Sequence, residues 1–353
     1  MSVVFRTAIW SALALVLIVA ASLAWMHAEI TAPYYGARSP EVFVEIASGA
    51  GAHSVAAQLA AAGVIRNRLL FEIYVRWTGM DRRLKAGEYR FAAPAAPAEV
   101  VRRIVAGDIF FHSVTLPEGL TAREAVSLIA QAGIGDAREL EQALQRVDWI
   151  ADLDPAATSL EGYLFPETYR FAHSADSVRV IQTLVRAFRD RYSAMLSAHP
   201  LPNGWTPRRI VTLASMIEKE TGSASERPLV ASVLVNRLER GMPLACDPTI
   251  IYALKLAGTY DGNIRKRDLA LDSPYNTYTH AGLPPGPICN PGEESLRAAL
   301  APPGTEYLYF VSRNDGTHQF STDYSSHSLA VARYQKNRLQ PSSPRRQAGR
   351  GPG

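Results

Sequence analysis

The sequence predicts an α+β protein behind a single N-terminal transmembrane helix, and three observations lead there. Residues 7–26 are an uncharged apolar run. Beyond it, a short strand, a glycine turn and an amphipathic helix occur once from Val44 and again from Val114. Later, helix-period segments give way to a Pro-, Gly- and Asn-rich stretch and then to a hairpin pattern. At 353 residues the chain is long enough for about two or three cores. A net charge of +4, with no basic face interleaved with aromatics, gives no ground for a nucleic-acid partner.

The run from Thr7 to Met26 contains no charged residue. At about 1.5 Å per residue it spans roughly 30 Å, the hydrocarbon thickness of a bilayer. Trp10 and Trp25 fall near its ends, where aromatic rings favour the interface. Arg6 precedes it and Glu29 follows, so the positive-inside rule predicts a cytoplasmic stub at 1–6 and an exported body. A cleaved signal peptide, with Ser22-Leu23-Ala24 as its site, is the competing reading; the length of the run favours a retained anchor. Residues 27–40, rich in Ala, Gly and Pro, read as a linker.

Two related modules follow, at 41–110 and 111–175. In the first, Val44-Glu45-Ile46 leads through Gly49 into a helix carrying Val55 and Leu59, closed by Gly63-Val64-Ile65. In the second, Val114-Thr115-Leu116 leads through Gly119 into a helix carrying Ala125 and Ile129, closed by Gly133-Ile134. Gly87-Glu88-Tyr89-Arg90-Phe91 is echoed by Thr168-Tyr169-Arg170-Phe171. Small βααβ modules of this sort serve either to bind extended polymers such as glycans or as spacers, and the pattern leaves both readings open.

Residues 176–338 read as a mixed α+β domain. Its helix from Arg208 carries Ile210, Leu213, Ala214 and Ile217 on one stripe and stops before Gly222. Glu218 lies at one border of that stripe and Glu220 at the other, so periodicity does not choose between them. A carboxyl at such a border loses hydration, its pKa rises, and it can donate a proton near neutral pH. A second helix at about 225–240 ends at Gly241 and Pro243. Residues 272–303 read as loop, and Tyr307–Val311 with His318–Phe320 as a hairpin across Asn314-Asp315-Gly316. Residues 339–353, rich in Pro, Ser, Gly and Arg, read as a disordered basic tail.

Four further features have competing explanations. Cys246 and Cys289 lie in the exported part and are either a disulfide or two small buried side chains. Asp247-Pro248-Thr249 is a polar cluster but also a good helix start, and Asn276 is a polar loop residue that also suits a turn. Tyr163 and Tyr169 suit sugar stacking or a core. His280, His318 and His327 match no zinc signature.

Several motifs together resemble one known family. They are Glu161-Gly162-Tyr163-Leu164-Phe165-Pro166-Glu167-Thr168-Tyr169, Ile217-Glu218-Lys219-Glu220-Thr221 and Val233-Leu234-Val235-Asn236-Arg237-Leu238. Asp247-Pro248-Thr249, Tyr275-Asn276-Thr277-Tyr278, Gly282-Leu283-Pro284-Pro285-Gly286-Pro287-Ile288 and Asn290-Pro291-Gly292 follow in order. The set resembles the endolytic murein transglycosylases, the YceG-like family, over nearly the whole chain. The resemblance implies a bacterial inner-membrane protein with a periplasmic body. It also implies a first exported unit similar to LysM modules and a catalytic domain at 176–338 that cuts peptidoglycan glycan strands. It places the catalytic acid on Glu218 and implies peptidoglycan synthases as neighbours. Asn276, Tyr278, Asp247, Thr249 and Glu220 are the expected substrate-binding residues. Acid–base chemistry on a glycoside calls for no metal or organic cofactor. A peptidoglycan hydrolase and a non-catalytic peptidoglycan-binding scaffold are the alternatives.

Overall fold

The computed structural model describes residues 3–34, 36, 40–173 and 175–336. The expected tail at 339–353 lies outside the described residues, as do Met1 and Ser2 of the expected stub. The architecture is mixed α+β, with helices set around two-stranded sheets. The chain divides into two compact units. One takes the chain up to Ser113 with Ala132–Gly135 and Arg170–Ala175; the other takes Val114–Gln131, Asp136–Tyr169 and the chain from Asp176.

The first unit begins with α1 (Val3–Thr31). Its stretch Ile9–Thr31, with mean hydropathy 2.2, is long and apolar enough to cross a membrane. The helix therefore continues past residue 26 into the segment expected as a linker. No Pro or Gly interrupts the chain before Pro33, Ile30 is buried at 9% exposure, and Glu29 pairs with Arg66 at 3.8 Å.

Then come β1 (Val42–Ile46), α2 (Ala52–Ala61), α3 (Arg68–Trp77), β2 (Gly87–Phe91) and α4 (Pro97–Ala106). β1 and β2 pair antiparallel, Val42 opposite Phe91 and Ile46 opposite Gly87. Alternation along β1 turns Val44 and Ile46 inward, onto Leu59, Phe71, Val75, Tyr89 and Ile104. Each such side chain contributes roughly 1.5–3 kcal/mol by leaving water. The buried Tyr89 hydroxyl donates to the carbonyls of Lys85 and Ile104, so its burial leaves no unmet donor.

The β–α–α–β order recurs as β3 (His112–Thr115), α5 (Ala122–Gln131), α6 (Ala137–Ala143) and β4 (Thr168–Phe171), with β3 paired to β4. The compact units do not divide at 110 and 175, however. Most of this second repeat belongs with the large unit, because its strand ends and helices pack there.

The large unit continues with α7 (Ser177–Ala198), α8 (Pro207–Glu220), α9 (Arg227–Glu239), α10 (Asp247–Leu256) and α11 (Glu293–Leu300). A hairpin of β5 (Tyr309–Ser312) and β6 (His318–Ser321) then leads into α12 (Tyr324–Val331). Pro207 starts α8 behind Thr206, whose hydroxyl accepts from the Arg209 amide. Every residue of α8 from Ile210 to Ile217 is buried, not only the expected stripe, because α9, α10 and α11 pack around it. The buried Ser215 is satisfied: its hydroxyl donates to the Thr212 carbonyl and accepts from the Ile288 amide.

The 272–303 segment, expected as loop, contains α11 and is buried over 286–292. The hairpin lies where the alternation predicted it, with Asn314 (φ 61°) and Gly316 (φ 89°) taking the left-handed turn positions.

Candidate active site

Glu218 sits in the last turn of α8 with its side chain 5% exposed. Both carboxylate oxygens accept hydrogen bonds. Arg227, the first residue of α9, donates to Oε1 at 3.0 Å, and the Gly292 amide donates to Oε2 at 2.9 Å. Gly292 is the residue that opens α11, where the helix dipole favours negative charge.

The same guanidinium nitrogen of Arg227 donates to Glu118 at 3.1 Å, so two carboxyl groups share one donor atom. Burial, and then the negative charge of Glu218, push the Glu118 carboxyl above its ordinary value against the pull of Arg227. Arg227 itself is 10% exposed, and its Nε has no hydrogen-bond partner among the described residues.

The surrounding backbone is fixed by five hydrogen bonds. Lys219 Nζ donates to the Gly119 carbonyl at 3.1 Å, and the Gly119 amide donates to the Asn290 carbonyl at 2.9 Å. The Asn290 amide group then joins three segments. Its oxygen accepts from the Gly162 and Leu164 amides, and its nitrogen donates to the Leu120 carbonyl. A Cβ at Gly292 would stand 1.9 Å from Glu118 Oε1, so a side chain there would displace the Glu118 carboxyl from Arg227. The sequence reading missed Glu118, Arg227 and Gly292 as partners of Glu218. One signal was available: Glu118 stands where the first repeat has Ser48.

The other expected site residues gather elsewhere. Two positions on from Glu218, Glu220 projects from a different face of α8. Burial pushes its carboxyl up to about 7, opposed by the Cys246 thiol and the Arg237 guanidinium and aided by Asp247. Asp247 is exposed at the start of α10, where Tyr278 donates to its Oδ1 at 2.6 Å. Glu220, Asp247 and Tyr278 thus form one cluster, apart from the Glu218 cluster.

Thr249 and Asn276 do not line a surface. Thr249 is fully buried; its hydroxyl donates to the Cys246 carbonyl at 2.7 Å and lies 2.9 Å from the Thr277 hydroxyl. Asn276 is also fully buried. Its amide donates to the Leu269 and Leu271 carbonyls and accepts from the Tyr278 amide, closing the turn beneath the cluster. In this structure both hold backbone in place: the Thr249 hydroxyl is engaged by Cys246 and Thr277, and every polar atom of the Asn276 side chain is already used.

The remaining features are structural. Tyr163 donates to Asp154 and Tyr169 to the Phe165 carbonyl, and both are core residues. Cys246 and Cys289 are free, buried thiols and not a disulfide. His318 pairs with Glu226, while His327 stacks on Tyr309. Asn236 donates to the Thr305 and Tyr307 carbonyls and Arg237 to those of Leu308 and Leu244, which ties α9 to the segment before β5. Glu161 receives the Ala122 amide and the Tyr252 hydroxyl, and burial pushes it up to about 7.

Comparison with known proteins bears on the whole arrangement. The model of the YceG-like family matches residues 44–333. A Bacillus subtilis protein named endolytic murein transglycosylase is 30% identical over 309 residues, covering 83% of this chain and 84% of its own length. A Streptococcus pneumoniae protein of the same name is 27% identical over 330 residues, and the match spans 84% of this chain but 59% of that longer protein. The crystal structure of a YceG-like protein from Listeria monocytogenes superposes with a TM-score of 0.55 at 29% identity, covering 86% of this chain and 99% of that one. The family match takes in both β–α–α–β repeats and every residue around Glu218, and the chain belongs to the YceG-like family.

Proposed function

We propose that this chain is an endolytic lytic transglycosylase that cuts nascent peptidoglycan glycan strands between N-acetylmuramic acid and N-acetylglucosamine, with Glu218 as acid and then base. The observation that carries the reading is the Glu218 carboxyl, almost buried and oriented by Arg227 and the Gly292 amide. The names borne by the relatives support the substrate class.

In the acid step Glu218 donates its proton to the glycosidic oxygen as the C1–O bond breaks. In the base step the carboxylate takes the proton of the muramic acid C6 hydroxyl, whose oxygen closes on C1 as a 1,6-anhydro ring. No water is consumed. Oε1 must be free to hold the proton during the first step, so Arg227 leans to Glu118, its other partner, and returns as negative charge reappears on Glu218. Asp247, Tyr278 and Glu220 form a second polar surface for the strand.

The remaining parts have assigned tasks in the same reading. Residues 7–26 are a retained inner-membrane anchor that leaves the N-terminus cytoplasmic and the body periplasmic. The unit at 41–110 is a LysM-like glycan-binding module, 111–175 is its relative, and 176–338 does the chemistry. The protein acts as a terminase of strand elongation beside peptidoglycan synthases.

A second reading, a muramidase that adds water, is favoured by one observation: Glu118 stands beside Glu218 as a second carboxyl. Mass spectrometry of products from uncrosslinked strands separates them. Fragments ending in 1,6-anhydro-muramic acid support the transglycosylase, products one water heavier establish the hydrolase, and intact strands from folded protein leave only a binding scaffold.

A further inference from the structure

We propose that the outward face of α3 lies in the headgroup layer of the bilayer that α1 crosses, so that the first unit lies against the membrane instead of hanging from a free tether. This rests on the reading of α1 as a retained span. α3 has two apolar faces. Phe71 and Val75 belong to the core, while Leu69, Ile73 and Trp77, spaced by four, form an outward stripe exposed at 65%, 44% and 81%. A face of this kind marks an interaction surface.

Its position indicates what covers it. Leu23, Met26 and Ile30 of α1 and Ile73 and Trp77 of α3 line one mainly apolar groove of about 570 Å³. Leu23 lies within the uncharged 7–26 run, so α3 stands alongside the last two turns of the candidate span. That is the depth at which an indole ring is most at home in a bilayer. The depth is also fixed: Ile30 is buried, Glu29 pairs with Arg66, Arg66 lies over the Tyr34 ring at 5.0 Å, and the Tyr34 amide donates to the Ala95 carbonyl.

Charge favours an anionic lipid surface over a protein partner. Arg68 and Arg76 flank the stripe and are exposed at 54% and 66%, while their shared partner Glu72 is turned inward at 11%. Asp81, Arg82 and Arg83 follow on the exposed turn after α3, adding a net positive charge. Basic side chains beside an apolar helical stripe are the composition of an interfacial helix.

The test uses the full chain in vesicles of phosphatidylcholine and phosphatidylglycerol carrying lipid brominated near the headgroup end of the acyl chain. The emission lost on Trp77→Phe defines the Trp77 share, and that lost on Trp25→Phe defines a share inside the span. We expect the Trp77 share to be blue-shifted relative to a solvent-exposed indole and quenched by the brominated lipid as strongly as the Trp25 share. A quenched Trp25 with an unquenched Trp77 overturns the proposal. Access of acrylamide to Trp77 would then indicate a free face, and exclusion of acrylamide a face covered by a second copy of the chain. If neither is quenched, the span reading itself fails and takes this proposal with it.

Discussion

Arg227 donates through one nitrogen to both Glu118 and Glu218, so each member of this trio sets the condition of the other two. Glu218→Gln keeps the shape and the Gly292 contact but has no proton to give. Cleavage should fall by at least about a hundredfold, the scale of general acid catalysis, while the chain stays folded and still binds sacculi. Retained cleavage in product mass spectra would remove Glu218 from the chemistry. Arg227→Ala should have a different effect. It leaves the buried Glu218 carboxylate without its charged partner, beside the more exposed Glu118, at a cost of about 1–3 kcal/mol in urea unfolding once solvent screening at Glu118 is allowed for. Adding Glu118→Gln should recover part of that loss by removing the like charge. If the second substitution makes the loss larger, the two carboxyls do not repel and the shared donor is not what holds them.

At the scale of elements, what could be read from the sequence was set by range. Period-3.6 and period-2 patterns depend on neighbours a few residues apart, and they located α8, α9 and the β5–β6 hairpin. They missed α11, because eight residues give little more than two turns of pattern, and they ended α1 early, because nothing local marks Ile30 as buried. The Glu218 cluster was out of reach for the same reason: its partners come from residues 118, 227 and 292, and only the first carried a hint, the departure from Ser48 in the repeat. The split role of the Asp247–Thr249 and Asn276–Tyr278 motifs needed coordinates, since a polar residue that supports a turn and one that lines a cleft look alike in a chain. Gly162 is a stricter case. Its φ is 88°, and an added Cβ would lie 2.5 Å from the Pro287 ring, backed by Val211 at 3.0 Å. Gly162→Ala should therefore lose about 2–4 kcal/mol from left-handed strain and overpacking together. An unchanged melting temperature would mean that the 161–166 and 286–288 segments are not in contact. Asn290→Ala, which strands the Gly162, Leu164 and Leu120 backbone groups, should cost a similar amount.

For the whole molecule, buried carboxyls tie stability to pH. Glu161 and Glu220 are pushed by burial from an ordinary 4.5 to about 7. Between these values the folded chain keeps protons that the unfolded chain has released. The stability they confer is complete below about pH 4.5 and is lost as pH rises through about 7. Glu220→Gln should flatten that part of the melting-temperature profile, and an unchanged slope would show that the Glu220 carboxyl ionises as an exposed one does. A last consequence concerns time and follows from where the Asn290 bridge sits in the chain. Synthesis delivers Glu118, Glu218 and Arg227 first, and the residues that lock the 118–120 and 162–164 segments together arrive only with 290–292. A chain synthesised only as far as residue 289 carries its acid but not the clamp that aims it. The orientation of Glu218 thus waits on a residue 74 positions further along the chain than the acid itself.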